Sequence, residues 1–213
     1  MNKNITKIMA ATLVLVMAAA MTACSVSNTT SSTPPAPSAT PAPVVTPAAL
    51  AEKYEKAIIA ARDEEMNKYY PVMTNANKEV IVTGYLEDAK ENKYDLTPED
   101  ASANYDANLN MISEVSGIKL EDAEAYALSI SMMNIKAYGI AVVKPLAGKE
   151  AAVESAMKGY VESMKKSFES YLVDQKEIAD AAVVKTLSDG TIVMVISENQ
   201  DAIIETIEKE LAK

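Results

Sequence analysis

The sequence predicts an α+β fold. Its core is a small three- or four-stranded, mostly antiparallel sheet of split β-α-β type, wired β-α-β-β-α, with additional N-terminal helices packed on it. Three observations lead there. The C-terminal half alternates short β-branched runs with long amphipathic stretches. The run TIVMVIS, Thr191 to Ser197, is apolar at even and odd positions alike, as in a strand covered on both faces. Ser188-Asp189-Gly190 supplies a tight turn just before it.

The elements follow in chain order. Leu50, Tyr54, Ala57, Ile58 and Ala61 recur at helical spacing, so a helix is expected over Ala48 to Tyr69, ended by Pro71. KEVIVTGY, Lys78 to Tyr85, sets β-branched residues in a row and reads as a short strand. Thr97-Pro98-Glu99-Asp100 starts a helix: threonine caps, proline suits the first turn, and the acids face the positive dipole end. That helix should run to about Val115 and stop at Gly117. Leu120 to Ser131 reads as another helix with an acidic first turn.

NIKAYGIAVVK, Asn134 to Lys144, reads as a strand closed by Pro145. Lys149 to Leu172 is a long helix striped by Val153, Met157, Tyr160, Met164 and Phe168. Ala182 to Leu187 and Thr191 to Ser197 are strands joined at the turn, and Asp201 to Ala212 is the last helix. The split layout puts the Thr191–Ser197 strand between the other two. Leaving either of its faces in water would forgo roughly 1.5–3 kcal/mol per large side chain. The two C-terminal helices are available to cover one face and the N-terminal helices the other.

The N-terminal part is organised differently. Lys3 and Lys7 precede Ile8 to Ala20, an uncharged apolar run too short to cross a bilayer but of signal-peptide size. Met21-Thr22-Ala23-Cys24 follows and resembles the bacterial lipobox, with Met21 in place of the usual leucine. That resemblance implies a diacylglycerol thioether on Cys24, which becomes the mature N-terminus. Cys24 is the only cysteine and histidine is absent, so neither a disulfide nor a zinc site is open to it, and an uncleaved signal anchor is the alternative to lipidation. Ser25 to Pro47 holds only Ser, Val, Asn, Thr, Pro and Ala, a composition that cannot bury enough apolar surface to order itself. At about 3.1 Å per residue, such a polyproline-biased spacer would reach about 70 Å. The expected organisation is a lipoprotein signal peptide (1–23), a Ser/Thr/Pro/Ala-rich disordered tether (24–47) and a single α+β domain (48–213), held on the extracytoplasmic face of the cell membrane through lipid on Cys24.

Composition excludes much chemistry. All thirty acids fall beyond the tether against eighteen lysines and arginines there, so the domain carries −12. That charge opposes nucleic acid and anionic lipid surfaces alike. Without histidine there is no Ser-His-Asp triad or imidazole base, and the scattered glycines form no phosphate loop. Ser155-Ala-Met-Lys158 and Ser163-Met-Lys-Lys166 match Ser-x-x-Lys but lie mid-helix without companion motifs. Asp88 to Glu99 has the length of a calcium loop, but Lys90 and Lys93 break its ligand set and its turn. Asp63-Glu64-Glu65 and Glu121-Asp122-Glu124 read as solvated helix turns. Met132-Met133 suits an adaptable binding surface or, as the favoured reading, an irregular gap in the core. Tyr160 and Tyr171 read as core residues with hydroxyls at the rim. No catalytic, cofactor-binding or metal-binding residue is assigned.

Two segments carry a family resemblance: SMMNIKAYGIAVVK, from Ser131, and SFESYLVDQKEIADAAVVKTLSDGTIVMVISEN, from Ser167. They resemble the domain-of-unknown-function family 4358, found in lipoproteins of Gram-positive bacteria. The resemblance extends over Met111 to the C-terminus and, more loosely, Leu50 to Leu109. It implies fold and location, and brings no activity or catalytic residues. The function expected is a non-catalytic module of the cell envelope that binds a small ligand or an envelope protein. The alternative is an envelope hydrolase using carboxylates or a Ser-Lys pair.

Overall fold

The computed structural model describes residues 45–133 and 135–213. Cys24, the signal-peptide segment and nearly all of the tether lie outside the described residues.

The described residues open with α1 (Pro47–Ala61) and a short α2 (Glu64–Tyr69), each started by its own cap. Thr46 accepts from the Ala49 N–H at 3.2 Å, and Asp63 from the Met66 N–H at 2.7 Å. A two-residue strand β1 (Met73–Thr74) leads to α3 (Lys78–Asn92) and α4 (Pro98–Ser116). As expected, Thr97 caps α4, and Gly117 ends it in the left-handed conformation at φ 69°. After a 3-10 turn (Leu120–Asp122) come β2 (Ala123–Ile130) and β3 (Gly139–Pro145). The rest is α5 (Glu150–Ser167), α6 (Val173–Asp180), β4 (Val183–Thr186), β5 (Ile192–Ile196) and α7 (Gln200–Leu211).

The five strands form one antiparallel sheet in the order β1-β2-β3-β5-β4. Strand β5 lies between β3 and β4, with Val193 opposite Val142 and Val195 opposite Ile140. The expected split β-α-β arrangement is therefore present, extended by β2 and β1 beyond β3.

The expected Ala48–Tyr69 helix is two helices, broken where Arg62 and Asp63 are extended, and two further elements differ in type from the sequence reading. Lys78–Tyr85 is the first half of helix α3 and not a strand. Its apolar residues Ile81, Val82, Tyr85 and Ala89 share one helical face, packed at the core, while Val80 points to solvent. Helical spacing outweighs β-branched propensity here. Leu120–Ser131 is a 3-10 turn followed by strand β2 and not a helix. Its Ala, Leu and Glu content favours helix, but Ala125 and Ala127 face one layer of helices while Tyr126, Leu128 and Ile130 face the other. A strand buried on both faces shows no alternation to read. The long helix also ends earlier than expected: Leu172, at φ 55°, separates α5 from α6.

Both sheet faces are covered. On one, Ala51, Tyr54, Ala57 and Ile58 of α1 and Ile203, Ile204 and Ile207 of α7 pack over Ala125, Ala127, Ile140, Val142, Val193 and Val195. On the other, α4 and α5 bring Tyr105, Leu109, Ile112, Met157 and Tyr160 over Tyr126, Leu128, Val143, Ile192 and Met194. The two long C-terminal helices thus take opposite faces and do not share one. Helix α5 lies in the crossover between the parallel-running β3 and β4, whereas α7 leaves β5 and returns over the Val193/Val195 face. The N-terminal helices divide likewise, so each face is closed by one element from either end of the chain.

Candidate functional site

A pocket of about 390 Å³ opens at the end of the sheet where β2 passes to β3 and β5 finishes. Four separate pieces of chain build it. Helix α2 contributes Glu65, Met66 and Tyr69, with Asp63 and Tyr70 flanking; the β2–β3 connection contributes Met133, Lys136, Ala137 and Tyr138. Ile178 comes from α6, and Ser197, Glu198 and Asn199 come from the end of β5.

Its inner wall is an aromatic pair. The Tyr70 and Tyr138 rings stack with centroids 4.1 Å apart and planes 29° from parallel. Tyr138 is fully buried, and what fixes it lies behind the pocket. Arg62, the only arginine of the chain, is buried just past the end of α1. Its Nη1 donates to the Tyr138 hydroxyl (2.8 Å), the Tyr70 carbonyl (2.8 Å) and the Ser129 hydroxyl (2.9 Å), and its Nε to Asn67 Oδ1 (2.9 Å). Ser129 and Tyr138 are themselves 3.2 Å apart. Among the described residues no carboxylate pairs with Arg62, so neutral oxygens take up the buried charge. Burial pushes the Tyr138 hydroxyl above its ordinary pKa, with the Arg62 charge and the Ser129 hydrogen bond pulling the other way. It is therefore a neutral structural hydroxyl at physiological pH.

The outer parts are more open. Tyr69 and Met133 are about 60% exposed (63% and 60%). The Lys136 ammonium lies 5.9 Å from the Tyr70 ring centroid, and Lys68 lies 5.4 Å from that of Tyr69. The β2–β3 connection is fixed to α6 by the Ala137 N–H, which donates to Gln175 Oε1 at 2.8 Å. Ser197 meets Met66 across the floor, its hydroxyl donating to Sδ at 3.8 Å. Asp63, Glu65 and Glu198 are exposed at the rim against the single Lys136.

Residues 97–197 match the family described as a domain of unknown function (DUF4358). The chain carries a DUF4358 domain. The match begins at the Thr97 cap of α4 and ends at Ser197, just past β5. Thus the DUF4358 region supplies the strands β2 to β5 and the Met133, Tyr138, Ile178 and Ser197 walls of the pocket, while α1 to α3 and α7 lie outside it. No curated protein and no solved structure matches the chain.

The residues singled out from sequence are dispersed. Cys24 lies outside the described residues. Ser155, Lys158, Ser163 and Lys166 lie on the exposed face of α5, where Lys158 pairs with Glu154 at 2.6 Å. Asp88 in α3 is occupied by Asn92 and the Tyr94 hydroxyl, and no loop encloses it. Asp122 is buried and pairs with Lys149 at 2.7 Å. Among the described residues no cluster of three or more potential ligands could hold a metal ion. Also among them, no helix is long and apolar enough to cross a membrane.

Three expectations are corrected. Tyr171, just past the end of α5, is 47% exposed and not core. Met132 and Met133 are exposed and not core: they follow the end of β2, in the connection to β3, where no sheet neighbour covers them. The Tyr160 hydroxyl is not at a rim. It is buried with no hydrogen-bond partner among the described residues, and burial pushes its pKa up to about 12. The sequence reading missed Arg62, Tyr69, Tyr70, Lys136 and Tyr138. Two signals bear on them: a lone arginine among nineteen lysines, and adjacent tyrosines before Pro71.

Proposed function

We propose that the protein is an extracytoplasmic lipoprotein, anchored through lipid on Cys24, whose DUF4358-bearing domain binds a small ligand without transforming it. The observation that carries the ligand part is the tyrosine-walled pocket. Its size suits a small molecule, and the Arg62 network holds its aromatic wall in one arrangement. A preformed wall lowers the ordering cost of binding. The anchor rests on the apolar run followed by Thr-Ala-Cys, and the tether length suits a domain presented clear of the headgroups.

A hydrolase remains the second reading, favoured by three carboxylates at one opening: Asp63, Glu65 and Glu198. It ranks below binding for physical reasons. Asp63 is spent on capping α2. All three acids are open to water, whereas a general acid relies on a shielded carboxyl. The Ser-x-x-Lys pairs lie on α5, whose residues are not among those lining the pocket.

The anchor is tested in cells expressing the full chain. Cys24→Ala should abolish incorporation of labelled fatty acid and move the protein from the membrane to the soluble fraction. Undiminished labelling of the variant would overturn the lipoprotein assignment. The binding reading is tested by the titration described below.

A further inference from the structure

We infer that the pocket takes an organic ammonium group: a cation carried on a small apolar body. The inference rests on the reading of the pocket as a ligand site and specifies its chemistry.

Three independent features converge. First, the walls are electron-rich aromatic faces backed by apolar side chains. Tyr69 and Tyr70 border the opening, with Met133 and Ile178 beside them. An ammonium within about 6 Å of such a ring centroid is attracted by its quadrupole. Second, the protein's own cations already use these rings: Lys136 is 5.9 Å from the Tyr70 centroid and Lys68 is 5.4 Å from that of Tyr69. Third, three carboxylates line the opening against one lysine, with Lys68 beside Tyr69 and Arg62 buried behind the tyrosine wall, so an incoming ammonium finds its counter-charges at the rim.

The position of Lys136 sharpens the inference. One face of Tyr70 is covered by Tyr138, and Lys136 hovers near the ring from the pocket side. Lys136 is half-buried and no carboxylate within the described residues pairs with it, so its ammonium is a tenant that a ligand can displace. An exogenous ammonium would take its place over the ring, with the rim carboxylates balancing the charge. An anionic ligand would instead seek Lys136 and be repelled by Asp63, Glu65 and Glu198. The two classes therefore respond to the same lysine in opposite directions.

The experiment uses the full chain, ¹⁵N-labelled in a non-ionic detergent, and follows amide shifts. The titrants are choline, its uncharged isostere 3,3-dimethylbutan-1-ol, and inorganic phosphate. Choline should shift Tyr69, Tyr70, Tyr138 and Ser197, and the neutral isostere should bind about fivefold more weakly or worse. Tyr69→Leu and the double variant Glu65→Gln/Glu198→Gln should weaken choline. Lys136→Gln should strengthen it, which a role of Lys136 in merely shaping the pocket would not produce. All of these side chains are open to solvent to some degree, so the variants leave the core intact. Equal binding of the neutral isostere, tighter binding of phosphate, or weaker choline binding by Lys136→Gln would overturn the ammonium assignment while leaving a ligand pocket. If none of the three titrants perturbs these amides, the ligand-pocket reading fails as well.

Discussion

The two faces of the sheet are both closed, but by different means. On the α1/α7 face the packing surfaces are small: Ala51 and Ala57 meet a sheet surface of Ala125, Ala127 and valines. Small side chains let the helix backbone approach closely, and the buried polar groups there are matched. The Tyr54 hydroxyl meets Thr191 Oγ1 at 2.9 Å, and Arg62 unites Tyr70, Ser129 and Tyr138. On the α4/α5 face the fill is bulky and softer: Tyr105, Tyr126, Tyr160, Phe168, Met73, Met157 and Met194. Tyr105 donates to the Thr74 carbonyl at 2.7 Å, but the Tyr160 hydroxyl has no partner among the described residues. The first face is a close fit with a polar latch; the second is volume filled by adaptable residues. The pocket sits where the latch ends, so the more tightly specified face also orders the candidate site.

The contrast can be broken in three places. The largest effect should come from the latch. Arg62→Met keeps the apolar stem but removes the charged donor shared by four oxygens, of which those of Tyr70, Ser129 and Tyr138 keep only one another, and should cost about 1.5–3 kcal/mol in denaturant unfolding. It should also loosen Tyr70 and Tyr138, seen as broadened ring signals. A loss under about 1 kcal/mol would mean that the latch is not what orders that face. Next is the close fit. Ala57 is fully buried, so Ala57→Leu should cost about 1–3 kcal/mol by overpacking. Ala152→Leu, exposed on α5 beside a small surface cavity, should stay within about 0.5 kcal/mol. Equal costs would erase the difference in fit.

The smallest effect separates two tyrosines that burial treats alike, since both hydroxyls are pushed up to about 12 by desolvation. Tyr54→Phe removes a hydrogen bond and leaves Thr191 with Asp189, so it should cost about 1 kcal/mol. Tyr160→Phe removes an unmatched hydroxyl and should be neutral or slightly stabilising. Thermal melts of the pair decide: a destabilised Tyr160→Phe would reveal a partner for that hydroxyl.

The same contrast explains what could be read in advance. The elements β3, β4, β5, α5 and α7 were legible because each carries a local signal: β-branched runs, the Ser188–Gly190 turn, or an amphipathic stripe. The placement of β5 between β3 and β4 followed from its two apolar faces. Strand β2 was not legible, because Ala125 and Ala127 are alanine to admit α1, an element some seventy positions earlier in the chain. Locally they read as helix formers. Helix α3 hid its spacing behind Val80, Ile81 and Val82, which look like a strand until Val80 is seen in solvent. The pocket was illegible for a related reason. Its walls come from α2, the β2–β3 connection, α6 and the end of β5, and only the finished sheet brings them together.

The pairing of α1 with α7 also bears on how the chain is made. Lys53 in α1 donates to the Leu211 carbonyl at 2.7 Å, across 158 positions of sequence. A chain emerging N-terminus first produces α1 long before the helix that shares its face. Until α7 appears, Tyr54, Ala57 and Ile58 lack half of their cover, and Val193 and Val195 lack theirs. The domain cannot close in instalments: α1 waits for α7, and this face is completed only once both are free of the machinery that makes them.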